Sequence, residues 1–294
     1  MAAMISMQKV FLNGEFIDKD RAKISIFDRG FIFGDGIYEV VPVVNSTMIE
    51  RDGFWDRFQR SLSEISLNLP YSKGEFETIL NKLIKINSLK EGGLYIQITR
   101  GIAPRDFIFV KGIEPTIMAF AFADSVLENP KSKSGISIIS TEDIRWKRRD
   151  IKSISLLGQC YAKNQAAIAG ADECFMVENG YVTEAGSSSA FIIKDHTLIT
   201  KPLSNEILPG IRRNKLLSLA TQIGLKVQER KFSMSEVYNA DECFISAATI
   251  ILLPVIKADG KAINGGKIGQ YSLKLRELYK NSLITEANKI KEIK

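Results

Sequence analysis

Two periods of apolar residues divide the chain. VFLNGEFI, ISIF and IYEVVPVV are short apolar stretches bounded by turn residues and predict strands, the first folding back on itself around Asn13-Gly14. In DGFWDRFQRSLSEISL the spacing changes: Trp55, Phe58, Leu62 and Ile65 recur at helical intervals. A second helix is predicted through Phe76, Ile79, Leu80, Leu83 and Ile84, and LYIQITR and TIMAFAFA return to strand. The polar stretch from Asp124 to Gly135, which holds Pro130, reads as a linker. Beyond it come strand ISIIST, a helix near Cys160–Ala169, and strands ECFMV, SAFII and TLIT. A helix through Leu216, Leu217 and Leu219 should stop at Gly224, and Ser233 with Glu236 spells a capping box. Strand ECFIS and a C-terminal helix close the chain. Strands and helices mix without regular βαβ alternation or internal repeat. The expectation is an α+β protein of two domains, over residues 1–125 and 136–294 with a linker at 126–135, and with a frayed start over the first seven residues.

Composition narrows the chemistry. With 45% hydrophobic and 25% charged residues, the 294-residue chain reads as an ordinary globular protein. No run of about 18 apolar residues is present, and the start lacks the pattern of a signal peptide. Cys160, Cys174 and Cys243 are odd in number and widely spaced, which suits reduced thiols in the cytoplasm. The net charge of +6 is spread out, apart from Arg145-Trp-Lys-Arg-Arg149 and the tail NKIKEIK. Both read as solvated faces, with no aromatic platform for nucleic acid. Most decisive is the single histidine, His196, in an expected turn between two short strands. It rules out multi-histidine metal sites and leaves acid–base work to Lys, Glu, Asp, Tyr or a cofactor.

Four places could carry such chemistry. Lys152, in DIKSISLL, is either a solvated lysine or an amine held in a pocket, where a free amine can condense with a carbonyl. Arg148 and Arg149 would lower its pKa if they folded close to it. Tyr38 follows the tight turn Gly34-Asp35-Gly36 at the start of a strand whose one face carries Tyr38, Val40 and Pro42. Glu184 precedes the small residues of VTEAGSSSAF, where backbone can approach a ligand, although plain solvation is the simpler reading. Gly210 in ILPGIRRNK precedes a helix whose first N–H groups can hold an anion. No Walker loop and no G-x-G-x-x-G fingerprint is present.

Taken in order, DRGFIFGDGIYEVV, WDRF, TRGIAPRD, EDIRW with DIKSISLL, VTEAGSSSAF, ILPGI and PVIKADG resemble the class IV aminotransferases. These are the fold-type IV pyridoxal-phosphate enzymes, and the D-amino-acid branch is the nearest. The resemblance runs from about Phe11 to Gly269 and implies a two-domain α+β fold with the cofactor site between the domains. It implies that Lys152 carries pyridoxal 5'-phosphate as a Schiff base and later shuttles the substrate proton. Glu184 would face the pyridine nitrogen and Leu208 would pack against the ring. Arg57 would clamp the phosphate with the N–H groups of Ile211 and Arg212, with Ala248 and Thr249 at the same cup. Tyr38 and Arg105 would hold the substrate carboxylate, Arg105 reaching in from the other subunit of a homodimer. The implied reaction is transamination of D-alanine or D-glutamate with a 2-oxo acid such as 2-oxoglutarate, by ping-pong kinetics.

Several positions depart from the family pattern. Phe107 stands where the D-amino-acid enzymes place a histidine, which removes a donor from the carboxylate trap. Arg212 replaces a phosphate-binding hydroxyl, Ala247 and Ala248 stand where hydroxyls often line the cup, and Ser189 and Trp55 replace an asparagine and a histidine. Leu157 stands where the branched-chain enzymes carry a tyrosine. The eroded trap keeps a second reading open, 4-amino-4-deoxychorismate lyase on the same scaffold, which uses the same lysine. The altered cup keeps open a third, a non-catalytic cofactor-binding homologue.

Overall fold

A computed structural model describes residues 6–292, which fall into two compact units. The first takes the chain up to Val126 together with Ile151–Ser155 and the segment from Leu283 onward; the second takes Leu127–Asp150 and Leu156–Ser282. Residues 136–294 are therefore not one continuous domain. The physical reason for the first exception is a backbone ladder: the Ile154 N–H donates to the Gly36 carbonyl at 3.1 Å and the Tyr38 N–H to the Lys152 carbonyl at 2.9 Å. For the second, the Glu286 carboxylate accepts from the Glu50 N–H at 2.6 Å. Most of the expected frayed start lies outside the described residues.

The first unit is built on a six-stranded sheet. Its elements are β1 (Ser6–Leu12), β2 (Glu15–Asp18), α1 (Arg29–Phe33), β3 (Gly36–Val44), β4 (Thr47–Met48), α2 (Arg51–Glu64), α3 (Lys73–Ile86), β5 (Gly92–Thr99) and β6 (Thr116–Ala123). The strands run in the order β2-β1-β6-β5-β3-β4, with antiparallel pairs throughout. Alternation along β3 sends Ile37, Glu39, Val41 and Val43 to full burial while Tyr38 and Val40 stay half-buried. Trp55, Phe58 and Phe76 pack as an aromatic core, and the Trp55 indole N–H donates to Glu77 at 2.7 Å. Ser72 and Glu75 close a capping box at the start of α3.

ISIF does not form a strand. The Ser25 hydroxyl accepts from the Phe27 N–H and the Ser25 carbonyl from the Asp28 N–H, so the segment turns without pairing and leaves Ile24, Ile26 and Phe27 exposed. The chain then enters α1, which ends at Gly34 in the left-handed region (φ 68°). A side chain at Gly36 would meet the Ile98 carbonyl at 2.5 Å, so glycine is required where β3 begins.

The second unit comprises α4 (Lys131–Ser134), β7 (Ile136–Glu142), α5 (Leu157–Ile168), β8 (Glu173–Glu178), β9 (Tyr181–Ala185), β10 (Ser189–Lys194), β11 (Thr197–Thr200), α6 (Ile211–Gln222), β12 (Lys226–Glu229), α7 (Met234–Tyr238), β13 (Glu242–Ala247), β14 (Ile250–Ala258), β15 (Lys261–Ala262) and the first half of α8 (Gln270–Glu292). Its nine strands follow β12-β11-β10-β13-β14-β7-β8-β9, with β15 on β14. The β11–β12, β14–β7 and β7–β8 pairs are parallel and the rest antiparallel. Part of the expected linker is the helical turn α4, and Arg276 on α8 donates to the Leu127 carbonyl, which ties this stretch into the second unit. Phe175, Val182, Ile192, Ile245 and Val255 share one apolar core beneath the sheet.

Candidate active site

In the first unit the backbone ladder presents Lys152 beside the start of β3. Ser153 bridges to Ile37, and the Ser61 hydroxyl accepts from the Lys152 N–H at 3.3 Å. The ammonium lies 4.0 Å above the centre of the Tyr38 ring. Tyr38 in turn stacks on Tyr95 at 5.6 Å, and Tyr95 on Phe120 at 4.9 Å. Among the described residues the Lys152 Nζ has no hydrogen-bond or ion-pair partner, and the side chain is half-buried. The sequence left Lys152 open between a solvated and a held amine; the structure holds its backbone through both its N–H and its carbonyl, and its amine against a ring.

Arg57 sits on the inward face of α2. Its Nε and Nη2 each donate to Glu39 at 2.7 Å, and both side chains are buried. Burial works against the charge on Arg57, but Glu39 outweighs it and holds the guanidinium above its ordinary pKa. Glu39 was not singled out in the sequence; alternation along β3 alone would have pointed it inward, where a lone carboxylate requires a partner.

In the second unit Glu184 lies on strand β9, not in the turn its sequence suggested, and its carboxylate is buried. One oxygen accepts from Arg145 Nη1 and the other from the Leu208 N–H at 3.3 Å. Burial pushes the Glu184 carboxyl up from its ordinary pKa, and Arg145 pulls it only part of the way back. Arg145 also grips Asp143, through Nε at 2.9 Å and Nη2 at 2.7 Å, while the Thr183 hydroxyl donates to Asp143 at 2.6 Å. Burial raises the Asp143 pKa, but bonds and charge from Arg145, Thr183 and Arg149 more than reverse it.

The reading of Arg145–Arg149 as a solvated face is therefore wrong for Arg145 and Arg149. Both are buried because each meets carboxylates, Arg149 pairing with Asp143 and Glu178. Arg148 pairs with Asp150, so the positive charge near Lys152 in sequence is already engaged with acids. The signal for this lay in the acids Asp143 and Asp150 that bracket the cluster.

The remaining expected residues of this unit gather at one end of its sheet. The Ala185 N–H donates to the Ser188 carbonyl, closing the turn from β9 into β10. Ser189 at the start of β10 pairs with Ser246 near the end of β13, so the Ala248-Thr249 turn into β14 lies at the same end. Gly210 adjoins Ser189, since a side chain there would meet the Ser189 hydroxyl at 2.6 Å, and it starts α6 with no side-chain cap. Ile211 and Arg212 thus place their N–H groups at an uncapped helix start, and the buried Ser188 hydroxyl has no hydrogen-bond partner among the described residues. The Arg212 guanidinium itself lies over the Tyr279 ring at 5.6 Å, facing α8.

Arg105 stands apart from Tyr38, on the exposed arm between β5 and β6. Its guanidinium lies against Phe33 and Phe107. His196 sits at the Asp195-His196 turn within 2.5 Å of the Tyr271 hydroxyl, so the single histidine belongs to a surface contact. No group of three or more His, Cys, Asp or Glu suited to a metal occurs among the described residues.

Residues 36–258 match the model of the amino-transferase class IV family. A D-alanine aminotransferase of Staphylococcus haemolyticus is 40% identical over 274 residues, 92% of this chain and 96% of that protein. Its counterpart from Bacillus licheniformis is 36% identical over 281 residues, 96% of this chain and 99% of that one. Among solved structures, the branched-chain amino acid aminotransferase from Escherichia coli superposes with a TM-score of 0.85, at 21% identity and 94% coverage of both chains. That last match speaks for the fold alone. The chain belongs to the class IV aminotransferase family.

Proposed function

We propose that the protein is a pyridoxal-phosphate-dependent D-amino-acid aminotransferase, exchanging the amino group of D-alanine or D-glutamate with a 2-oxo acid such as 2-oxoglutarate. The observation that carries this reading is Lys152: its backbone is bonded to the start of β3 and its amine lies over the Tyr38 ring, with no acid paired to it among the described residues. The relatives named D-alanine aminotransferase support the choice of substrate.

The residues present fit the cofactor. An uncapped helix start at Ile211 and Arg212, next to the Ala248-Thr249 turn, suits a phosphate, and a buried carboxylate at Glu184 suits a protonated ring nitrogen. Pyridoxal phosphate supplies an aldehyde that condenses with amines and a ring that withdraws electrons from the carbon they carry. Lys152 provides the amine and then moves the proton at the substrate Cα. Glu184 would accept from the ring N–H, Leu208 would pack on the ring, and Arg57 would add charge for the phosphate. Tyr38 and Arg105 hold the substrate carboxylate, which makes the working form a homodimer. Exposed Phe27, Phe31, Ile102 and Ile108 around the Arg105 arm support a second copy covering it. The three unpaired cysteines support a cytoplasmic location.

The test is spectroscopic. Protein loaded with pyridoxal phosphate should show a visible band that bleaches with D-alanine and returns with 2-oxoglutarate. Release of pyruvate from aminodeoxychorismate without an amine acceptor would establish the lyase instead. A protein that gains no band, with Lys152→Ala behaving identically, would overturn both enzymatic readings.

A further inference from the structure

Three arginines with different surroundings lie on or beneath the arm between β5 and β6. Arg100, at its base, bonds Asp35 through Nε at 2.8 Å and Nη2 at 3.0 Å, and its guanidinium lies 3.8 Å from the centre of the Phe109 ring. Arg29, buried beneath the arm, bonds the same Asp35 at 2.7 Å and donates to the carbonyl of Asp106. Both share this one carboxylate, and they tie the arm to α1 and the turn that follows it. Arg105, one residue before Asp106, has no carboxylate and no hydrogen-bond acceptor among the described residues. It is held by rings: its guanidinium carbon lies 5.2 Å from the centre of Phe107 and 5.7 Å from that of Phe33. These two rings touch each other at 5.4 Å, and Phe33 also carries the Arg29 guanidinium at 4.8 Å.

We propose that Phe107 and Phe33 form an aromatic clip that positions Arg105, so that of these three arginines it is the one left to receive the substrate carboxylate alongside Tyr38. The inference rests on the reading of Arg105 as a carboxylate ligand and states how this chain orients it. A ring face steadies a planar guanidinium without consuming its N–H donors, so all five remain for a carboxylate. A phenylalanine at 107 cannot donate to the substrate; it acts through Arg105. Anchoring of the arm by Arg29 at Asp106, and by the Asp28–Ile102 bridge, keeps the clip from drifting. Since the amino acid and the oxo acid both bring an α-carboxylate, the clip should affect both half-reactions alike.

The experiment measures steady-state kinetics of the loaded enzyme with D-alanine and 2-oxoglutarate for Phe107→Leu, Phe107→Tyr, Arg105→Lys, Arg105→Ala and the Arg105→Lys/Phe107→Leu pair. Because Phe107 is 75% exposed, Phe107→Leu should fold normally, which its melting temperature verifies. The clip predicts that Phe107→Leu raises KM for both substrates about three- to tenfold with kcat within about twofold. Phe107→Tyr, which keeps the ring, should restore wild-type KM. In the Arg105→Lys background, where no planar group remains to be clipped, Phe107→Leu should add nothing. If Arg105→Lys weakens both substrates and Phe107→Leu leaves KM unchanged, the clip is overturned while the role of Arg105 stands. If Arg105→Lys and Arg105→Ala both leave KM unchanged, the role of Arg105 fails and the clip fails with it.

Discussion

Arg145 joins two buried carboxylates, gripping Asp143 with two nitrogens and reaching Glu184 with a third. Asp143 is in turn saturated by Thr183 and Arg149, so Arg145 has a rigid base from which to hold Glu184. Burial already favours the protonated form of Glu184, and a protonated carboxyl cannot balance a ring N–H⁺. Arg145→Met should therefore destabilise the protein by about 3–5 kcal/mol, the usual cost of leaving buried carboxylates without their cation. It should also weaken cofactor binding, through a Glu184 that stays neutral to higher pH. Denaturant melts of the cofactor-free protein and titration with pyridoxal phosphate measure the two effects separately.

Lys152 offers a cleaner separation of chemistry from stability. Its side chain is half-buried and its structural bonds are made by backbone atoms, so Lys152→Ala keeps the ladder to β3. We expect a melting temperature close to wild type and a loss of turnover of roughly 10²–10⁴ or more, the range for removing a positioned acid–base group. Added methylamine should return part of the rate by supplying the missing base.

The elements with strong periodicity were legible from the chain: α2, α3, β3, β5 and β6 lie where apolar spacing put them. ISIF carried the same apolar signal and failed, because a strand needs a partner and Ser25 turns the chain before one is met. Strand β9 was hidden for the opposite reason, since its buried Thr183 and Glu184 are polar and break the alternation. Their burial is permitted by Asp143 and Arg145, contacts across about 40 residues that no local pattern reports. The residues proposed for the site came from family motifs. The partners that fix them, Glu39 for Arg57 and Arg145 for Glu184, became visible only in the fold.

Acid stability should depend on Glu178. Hydrogen bonds from Arg149 and Lys147 hold its carboxyl down at about 2, against an ordinary 4.5. A carboxylate with a lowered folded pKa stabilises the protein above its unfolded pKa and loses that contribution as pH falls through the folded value. The loss should thus run from about pH 4.5 down to about 2. Urea midpoints followed across this window should fall more steeply for wild type than for Glu178→Gln, which has no proton to take up there.

The surface around Arg105 makes the last prediction. Phe31 is 69% exposed on α1, with Phe27 and Ile102 exposed on the neighbouring segments that the Asp28–Ile102 bridge brings together. An apolar group of this kind, next to a cation whose proposed target is the other subunit's substrate, is what a homodimer contact requires. Phe31→Asp places a charge at its centre, where desolvation without a partner is costly. Light scattering should then find wild type dimeric and Phe31→Asp shifted to monomer at the same concentration. Turnover should fall with the dimer fraction, because each site would lose its Arg105, while the visible band of bound cofactor persists in the monomer. A monomeric wild type with full activity would instead require the substrate carboxylate to be held within one chain, and Tyr38 would be the residue left to do it.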